Sequence, residues 1–373
     1  MTATFWIVVA LVIYTYAGYP LFVQLLARFR GSPDRAPAAP ARWPTVSVIV
    51  AVHNGEPHVR RKAGNLAALA YPGDPPEIIF VSDGSDDGTD SILRELPGIV
   101  MARYQPRSGK PTALNLGATL AGGEVLVFTD VRQLLDGAAL PRLVARLLEP
   151  GVGAVSGELC HRDAATGAAR DVGLYWRYEK AIRRAESRLH STAGVTGALY
   201  AIRRSDFGGL PGDTILDDFE VPARVLRTGR RVVLESGARC YDELENTSAG
   251  ERRRKVRTLA GNFQSFARNP WLFLPWRNPV FWQFVSHKVL RLLVPYALLA
   301  ALVLPFAIGG TLYRMAFVAQ ALFYLMALAG LTWQRLRAVR VVSFAAVFVE
   351  LNWAAVAGLG RFLGRRIDVR WAT

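Results

Sequence analysis

The sequence predicts an α/β protein in which a soluble domain with a mainly parallel sheet is joined to an α-helical transmembrane region. Between residues 45 and 265, short apolar runs rich in β-branched residues alternate with helical patterns. This alternation is typical of a parallel sheet with helices on both faces. Outside that region, four stretches are apolar and long enough to cross a bilayer as helices. The chain of 373 residues is long enough to build both parts.

The N-terminal apolar stretch, residues 5–27, contains no charged side chain. It covers the ~20 residues that a helix needs to cross a bilayer. It has neither a basic leader nor a small-residue cleavage site, so residues 1–28 are predicted to be an uncleaved membrane anchor. Residues 29–44 are rich in proline and small side chains, which favours an extended linker.

The C-terminal part of the chain, residues 291–373, is predicted to form transmembrane helices. Its apolar stretches are residues 292–310, 315–333 and 341–360. Before them, residues 266–290 combine tryptophan and phenylalanine with several prolines, which is typical of an interfacial segment at the cytoplasmic leaflet. We therefore expect a multi-pass protein of the cell membrane, plasma or inner, with the lipid bilayer as a partner.

The net charge of +15 comes mostly from arginine. Arg28 and Arg30 follow the first apolar stretch, and Arg335 and Arg337 lie between the last two. The positive-inside bias therefore places the soluble domain in the cytoplasm. No stacking or groove-reading module accompanies the basic residues, so nucleic acid is not expected as a partner. The two cysteines indicate neither a disulfide framework nor a thiolate zinc site.

The side of the membrane on which the C-terminal segment lies stays open at this point. Three further spans after a cytoplasmic domain would place it outside, although RFLGRRIDVRW is strongly basic. One alternative is that the last apolar stretch, which carries Glu350 and Asn352, does not span simply. The other is that the charge rule is broken there.

Three apolar strands of the soluble domain each end in a polar side chain. The strands lie in TVSVIVAVHN, EIIFVSDGSDDGT and EVLVFTD, and the polar residues are Asn54, Asp83 and Asp130. A helical pattern runs from about His58 to Leu69, and Thr89 or Asp90 is expected to cap the next helix. Ligands of such sheets bind beyond the carboxyl ends of the strands, where these polar residues lie.

Six motifs of the domain follow one another in the order and spacing of a known family. They are VSVIVAVHNGE, EIIFVSDGSDDGT, RSGKPTALNLG, GEVLVFTDVRQ, TGALYAIRR and ILDDFEVPARVLRTGRRVV. In these motifs the chain resembles the family-2 glycosyltransferases, the group that includes cellulose and hyaluronan synthases. The resemblance covers residues 45–265 by motif and the rest by architecture. It implies the GT-A fold, a nucleotide-sugar donor and inversion at the anomeric carbon.

The resemblance assigns four residues to the nucleotide. Asp83 matches the second aspartate of the family's DDGS loop and would contact the base or ribose, while Ser82 stands where the first aspartate would be. His53 occupies a position that is often tyrosine in the family, and Asn54 follows it. Lys110, in RSGKP, matches a basic residue near the nucleotide or its phosphates.

The family's Asp-x-Asp motif is altered in this chain to Asp130, Val131 and Arg132. The resemblance implies Mg²⁺ or Mn²⁺ as cofactor with Asp130 as a ligand, since both are cations that prefer oxygen. Arg132 cannot ligate a cation. Either a metal still binds through Asp130 while Arg132 points away, or Arg132 lies against the diphosphate and replaces part of the metal's charge. The alternative with a retained metal is preferred, because the other motifs are intact.

The acidic pair in LDDFEVPARVLRTG matches the family's catalytic pair at the head of a helix. Asp218 stands eleven residues before Gly229, the spacing that the resemblance assigns to the catalytic base. Asp217 takes the place of the preceding glutamate. Adjacent helical residues point about 100° apart, so we expect Asp218 to be the base and Asp217 its electrostatic neighbour.

The basic segment ERRRKVRTLAG aligns with the family's QRxRW motif. Lys255 and Arg257 are predicted to reach the donor's diphosphate, and the same basic face is also expected to attract anionic lipid. The motif's tryptophan is Thr258 here. Because that tryptophan helps to hold a growing glycan in the processive synthases, its absence argues against processive polymerisation.

Together these residues predict an inverting glycosyltransferase of polysaccharide biosynthesis. The expected partners are a nucleotide-sugar donor, with a UDP-sugar as the default, and a glycan or lipid-linked acceptor received at the interfacial segment. Two alternatives stay open. One is a nucleotidyltransferase, and the other is a membrane scaffold or regulatory protein with a degenerate donor site, which Ser82, Arg132 and Thr258 motivate.

Overall fold

The computed structural model describes residues 1–33, 35–162, 173–243, 248–364 and 369–370. Contacts between residues divide the chain into two compact units. The membrane unit contains residues 1–23, 248–263 and 282–367, and the sheet unit contains residues 24–247, 264–281 and 368–373. The predicted soluble domain, residues 45–265, lies mostly in the sheet unit, but residues 248–263 group with the membrane helices.

The N-terminal stretch forms one continuous apolar helix of 29 residues, Thr2–Arg30. It consists of α1 (Thr2–Ile13), a π-helical turn (Tyr14–Gly18) and α2 (Tyr19–Arg30). Arg28 and Arg30 lie in its last turn, where basic side chains interact favourably with the helix dipole. The helix extends slightly into the segment that was predicted to be a linker.

The sheet unit is built on one sheet of eight strands. They are β1 (Val46–Val52), β2 (Glu77–Asp83), β3 (Ile99–Tyr104), β4 (Val125–Asp130), β5 (Leu134–Leu135), β6 (Val152–Arg162), β7 (Leu199–Arg203) and β8 (Arg231–Glu243). Their order is β3-β2-β1-β4-β7-β6-β8-β5. The first four are parallel, β7 is antiparallel to both of its neighbours, β6 and β8 are parallel, and β5 is antiparallel to β8. The sheet is therefore mixed, with a parallel half that contains all three strands predicted to end in polar residues.

Helices lie between these strands in chain order, and a further helix follows β8. They are α3 (Glu56–Ala67), α4 (Thr89–Glu95), α5 (Lys110–Leu120), α6 (Ala139–Leu147), α7 (Gly173–Leu189), α8 (Asp217–Arg227) and α9 (Ser248–Arg268). The predicted helix from His58 to Leu69 is α3, which begins two residues earlier. Thr89 is the first residue of α4 and not its cap, because Gly88 holds the N-cap position.

The core of the sheet unit forms around β1, which is buried along its whole length. Gly117 of α5 packs against this strand, and a Cβ at Gly117 would lie 2.5 Å from Ile49 Cγ2. Only glycine allows α5 to approach β1 this closely. On β4, the Phe128 ring stacks on Tyr200 of β7 at 4.9 Å between ring centroids. These contacts set the positions of the strand ends that carry the predicted site residues.

The membrane unit contains the remaining apolar helices. After a 3₁₀ turn (Pro270–Phe273) come α10 (Phe281–Gln283), a π-helical turn (Phe284–Val289), α11 (Leu290–Ile308), α12 (Thr311–Thr332) and α13 (Arg340–Leu363). Among the described residues, four helices are long and apolar enough to cross a membrane, namely Thr2–Arg30, Phe281–Ile308, Thr311–Thr332 and Arg340–Leu363. These helices coincide with the four apolar stretches of the sequence, and the second begins inside the predicted interfacial segment.

Within the membrane unit, α13 contacts α9 at two points. Arg252 Nε lies 3.7 Å from Glu350 Oε1. Farther along both helices, a Cβ at Gly358 would lie 2.9 Å from the backbone nitrogen of Ala260. The two contacts have the same spacing on each helix, so α9 and α13 run in the same direction. Most of the basic run after residue 364 lies outside the described residues.

Candidate active site

The carboxyl ends of β1 and β2 are joined by polar contacts. Asn54 has a φ of 49°, a left-handed conformation that asparagine tolerates better than most residues. Its Nδ2 donates to Asp86 Oδ1, and its Oδ1 accepts the Asp86 N–H at 3.0 Å. His53 Nδ1 lies 2.9 Å from the backbone oxygen of Asp83. His53 and Asn54 are thus fixed against the loop that follows β2.

Asp83, the last residue of β2, is fully buried. Its Oδ1 accepts the Ser108 N–H at 2.6 Å, and its Oδ2 accepts the Gly109 N–H at 2.9 Å. Gly109 has a φ of 94°, which favours glycine at this position. Asp83 therefore organises the loop before α5. Its predicted contact with the base or ribose stays a prediction.

Lys110, the first residue of α5, connects two acidic residues of the predicted site. Its Nζ lies 2.9 Å from Asp130 Oδ1 at the end of β4, and 3.3 Å from Asp217 Oδ1 at the start of α8. Burial alone would lower the pKa of Lys110, but the charges of Asp130 and Asp217 outweigh it and raise that pKa above its ordinary value. Lys110 therefore stays protonated and connects the end of β4 to the start of α8.

The acidic pair Asp217 and Asp218 opens α8, as predicted from its sequence. Asp217 is buried, and besides Lys110 it accepts a hydrogen bond from the Tyr200 hydroxyl at 3.3 Å. Burial, followed by the charge of Asp217, raises the pKa of Tyr200, so this hydroxyl keeps its proton. Asp218 is only partly buried, and a Cβ at Gly197 would lie 3.3 Å from its Oδ2. The two carboxylates therefore occupy different environments.

Arg132 is paired with a carboxylate that the sequence motifs did not indicate. Its Nη2 donates to Oδ2 of Asp242, on β8, at 2.8 Å. The Asp242 side chain is 10% exposed and that of Arg132 is 28% exposed. Asp242 thus compensates the charge of Arg132. A contact of Arg132 with a diphosphate stays a prediction.

The acidic residues fit a divalent cation only as part of a donor complex. Among the described residues, no group of three or more His, Cys, Asp or Glu side chains could hold a metal ion. Asp130 is a single carboxylate, 38% exposed. Mg²⁺ is often bound through one or two carboxylates, with substrate phosphates and water as its other ligands. Asp130 can serve in this way, whereas the described residues form no preformed cage.

Lys255 and Arg257 lie on α9 within the membrane unit, whereas the other predicted site residues lie in the sheet unit. Their contribution to donor binding stays a prediction. Sequence reasoning also missed residues that contact the site from other elements. They are Asp242, Tyr200, Gly197 and Lys62. The only signal for any of them was the motif TGALYAIRR, which contains both Gly197 and Tyr200.

Comparisons with known proteins agree with this geometry. Residues 47–209 match the model of glycosyl transferase family 2, and residues 135–356 match that of glycosyl transferase family group 2. A solved mannosyltransferase, PcManGT from Pyrobaculum calidifontis, in complex with GDP-Man and Mn²⁺, shares 25% identity at a TM-score of 0.74. The alignment covers 97% of this chain and 99% of that one. The GT-A fold is thereby confirmed.

Two curated relatives match a smaller part of the chain. The probable glycosyltransferase YdaM of Bacillus subtilis is 28% identical over 232 residues, 59% of this chain and 55% of the relative. The poly-β-1,6-N-acetyl-D-glucosamine synthase of Staphylococcus aureus is 23% identical over 233 residues, 60% of this chain and 56% of the relative. The chain thus spans about half the length of these relatives.

The family model that begins at residue 135 covers more than half of the chain, and the first model adds the donor-side motifs. These matches favour a glycosyltransferase over a nucleotidyltransferase or a membrane scaffold. The chain is a membrane protein that belongs to the family-2 glycosyltransferases.

Proposed function

We propose that this protein transfers a sugar from a nucleoside diphosphate sugar to an acceptor hydroxyl with inversion at the anomeric carbon. One observation carries the proposal: Lys110 contacts both Asp130 and Asp217. It joins the end of β4, where the family binds the donor, to the start of α8, where Asp218 lies. Binding residues and a base are thus held together, as a single displacement requires.

The base in this proposal is Asp218. Asp217 is buried and contacts Lys110 and Tyr200, and the partly exposed Asp218 is the carboxylate of the pair that solvent can reach. The Asp218 carboxylate takes the proton of the acceptor hydroxyl as its oxygen attacks the anomeric carbon. The bond from that carbon to the diphosphate breaks on the opposite face, and the diphosphate leaves with the electron pair. A positioned general base contributes about 10²–10⁴-fold to such a step.

The departing diphosphate gains negative charge, which the protein must compensate. Lys110 is the described cation nearest to Asp130 and keeps its charge at all physiological pH values. A divalent cation bound with the donor would neutralise further diphosphate charge, and Asp130 would hold it. Arg132 reaches the diphosphate only if it leaves Asp242.

Two nucleotide sugars are candidates for the donor. A UDP-sugar is the default of the resembled family. GDP-mannose is the second candidate, because PcManGT, solved with GDP-Man, matches this chain over nearly its whole length. The acceptor is proposed to be a glycan or a lipid-linked glycan, in keeping with the four apolar helices and the likeness to a polysaccharide synthase.

The soluble domain is proposed to lie in the cytoplasm, with the segment after α13 on the same side. A Cβ at Gly109 would lie 3.1 Å from Val369 Cγ1, and both residues belong to the sheet unit. An even number of crossings must then separate them. α13 packs on α9, which carries the basic residues Arg252 to Arg254, Lys255 and Arg257. We therefore propose two membrane crossings, the helices Phe281–Ile308 and Thr311–Thr332, and place α13 at the interface between membrane and water.

Cysteine labelling in cells tests this topology. Asp74→Cys reports the soluble domain, Gly310→Cys the loop after α11, and Arg370→Cys the segment after α13. A membrane-impermeant maleimide should label only Gly310→Cys in intact cells and all three after permeabilisation. Labelling of Arg370→Cys on the side opposite to Asp74→Cys would show that α13 crosses the bilayer.

The transfer reaction is tested with purified protein in detergent. UDP-GlcNAc and GDP-mannose are titrated calorimetrically with Mg²⁺, Mn²⁺ or EDTA, and donor turnover is followed by release of the nucleoside diphosphate. For the donor that binds, Asp218→Asn should lower turnover by at least about 10²-fold with the donor Kd nearly unchanged. Full turnover by Asp218→Asn would remove it as the base, and binding of neither donor would contradict the proposed function.

A further inference from the structure

Lys62 is a buried lysine beside the end of β4, which carries Asp130. It lies on α3 and is fully buried. Its Nζ donates to Thr129 Oγ1 at 2.9 Å and to the backbone oxygen of Gln133 at 2.5 Å. Among the described residues it forms no ion pair, although fully buried lysines are rare without one. The ammonium group therefore binds only uncharged oxygens, one on each side of residues 130–132.

Asn65 lies three residues later on the same face of α3. Its Nδ2 donates to the backbone oxygen of Leu135 at 3.0 Å, and its Oδ1 accepts the Leu135 N–H at 2.8 Å. Together Lys62 and Asn65 hold the backbone or side chains of residues 129, 133 and 135. These contacts bracket both Asp130 and Arg132.

The same contacts extend towards the proposed base. Thr129 Oγ1 donates to the backbone oxygen of Ala198 at 2.8 Å. Ala198 follows Gly197, where a Cβ would lie 3.3 Å from Asp218 Oδ2. The Thr129 hydroxyl thus connects Lys62 to Ala198, beside the residue that packs on Asp218. Thr129 also lies directly before residues 130–135, which are called the donor loop.

Stability alone gives little reason for a lysine here. Burial lowers the pKa of Lys62 to about 7, and the nearby charge of Asp130 offsets this only in part. Burying a charged group is costly unless it is paired with an opposite charge. A position next to the donor loop gives such a lysine a functional reason.

We propose that Lys62 and Asn65 are positioning residues that hold residues 129–135 so that Asp130 faces the donor's diphosphate. The inference rests on the proposed function, in which this loop meets the donor. Neither residue touches the donor in this proposal. Their effect is transmitted through the backbone and Thr129.

The test compares Lys62→Met, Asn65→Leu and a matched control, Leu66→Val. Leu66 lies on the same helix and is fully buried, but it belongs to the apolar core. Lys62→Met removes the ammonium group at similar volume, so the fold is expected to survive, and Lys62→Gln is a second variant that keeps one donor. Hydrogen exchange of a peptide that covers residues 129–135 is measured without nucleotide, together with the Kd of the nucleoside diphosphate and monophosphate.

Lys62→Met and Asn65→Leu should speed exchange in that peptide at least about tenfold, which corresponds to a loss of about 1.4 kcal/mol in local protection. The Kd of the nucleoside diphosphate should rise by a similar factor while that of the monophosphate stays within twofold. Lys62→Gln should lie between these variants and the parent, and Leu66→Val should change neither readout.

Unchanged exchange in a folded Lys62→Met protein would overturn the positioning role, whatever the nucleotide does. Faster exchange with equal losses of diphosphate and monophosphate binding would also overturn it, because the effect would not be directed at the diphosphate. Faster exchange in a protein whose parent binds no nucleotide would support the hold on the loop and refute the proposed function instead.

Discussion

Replacing Lys110 by methionine removes the cation between Asp130 and Asp217 while keeping a long apolar side chain. We expect Lys110→Met to unfold at a lower temperature than the parent, even without donor. Asp217 carries most of the cost, since its side chain is 7% exposed and would lose its only described cation. Asp130 is 38% exposed, so water compensates much of its loss.

The magnitude follows from these exposures. Removing one partner of a fully buried ion pair costs about 3–5 kcal/mol. Because one of the two carboxylates is half-exposed and the Tyr200 hydroxyl still donates to the other, we reduce this to ~2–4 kcal/mol. For a domain of this size, 1 kcal/mol shifts the melting temperature by about 2–4 °C, so a decrease of roughly 5–15 °C is expected.

The assay is thermal unfolding of the purified protein in detergent, at one pH and without nucleotide. Lys180→Met is the matched control, because Glu158 keeps its ion pair with Arg184 at 2.7 Å when Lys180 is removed. The double variant Lys110→Met/Asp217→Asn should recover part of the loss by neutralising the carboxylate. A melting temperature within about 1 °C of the parent, or a double variant that is simply additive, would refute the reasoning.

Three further predictions follow from other contacts. Arg132→Asp should make the melting temperature respond more strongly to Mn²⁺ than in the parent, since it removes the cation that compensates Asp242, and superimposable Mn²⁺ titrations would contradict this. Gly117→Ala should lower stability by about 1–3 kcal/mol and spare the donor Kd, because the new methyl group overlaps Ile49, and an unchanged melting temperature would mean that α5 shifts freely. The pKa of Lys62 is lowered to about 7 in the folded protein, so the unfolded chain binds more protons above that pH. The free energy of unfolding of the parent, relative to that of Lys62→Met, should therefore rise by up to about 1.4 kcal/mol per pH unit from pH 7 towards pH 10. If the difference in melting temperature between the two proteins did not change with pH, a buried neutral lysine would be excluded.

The predictions that succeeded rest on patterns local in the chain. Apolar β-branched runs predicted β1, β2 and β4, and the same runs placed Asp83 and Asp130 at the strand ends. The acidic pair was predicted at the head of a helix, and α8 begins at Asp217. The apolar stretches predicted four membrane-length helices. Each follows from the covalent order of the residues, because strand, helix and span signals extend over only a few turns or strand repeats.

The tertiary structure alone decided which charges meet. Arg132 donates a hydrogen bond to Asp242, which lies 110 residues further along the chain. Lys62 donates one to Thr129, which lies 67 residues further along. Lys110 meets Asp217 because α5 and α8 both begin at the same edge of the sheet. Such partners depend on the strand order β4-β7-β6-β8-β5, which no local pattern specifies. The sequence by itself determined the fold class, the family resemblance and the identity of the acidic residues. Packing determined their environments, since burial and the nearest opposite charge are set only when distant segments come together.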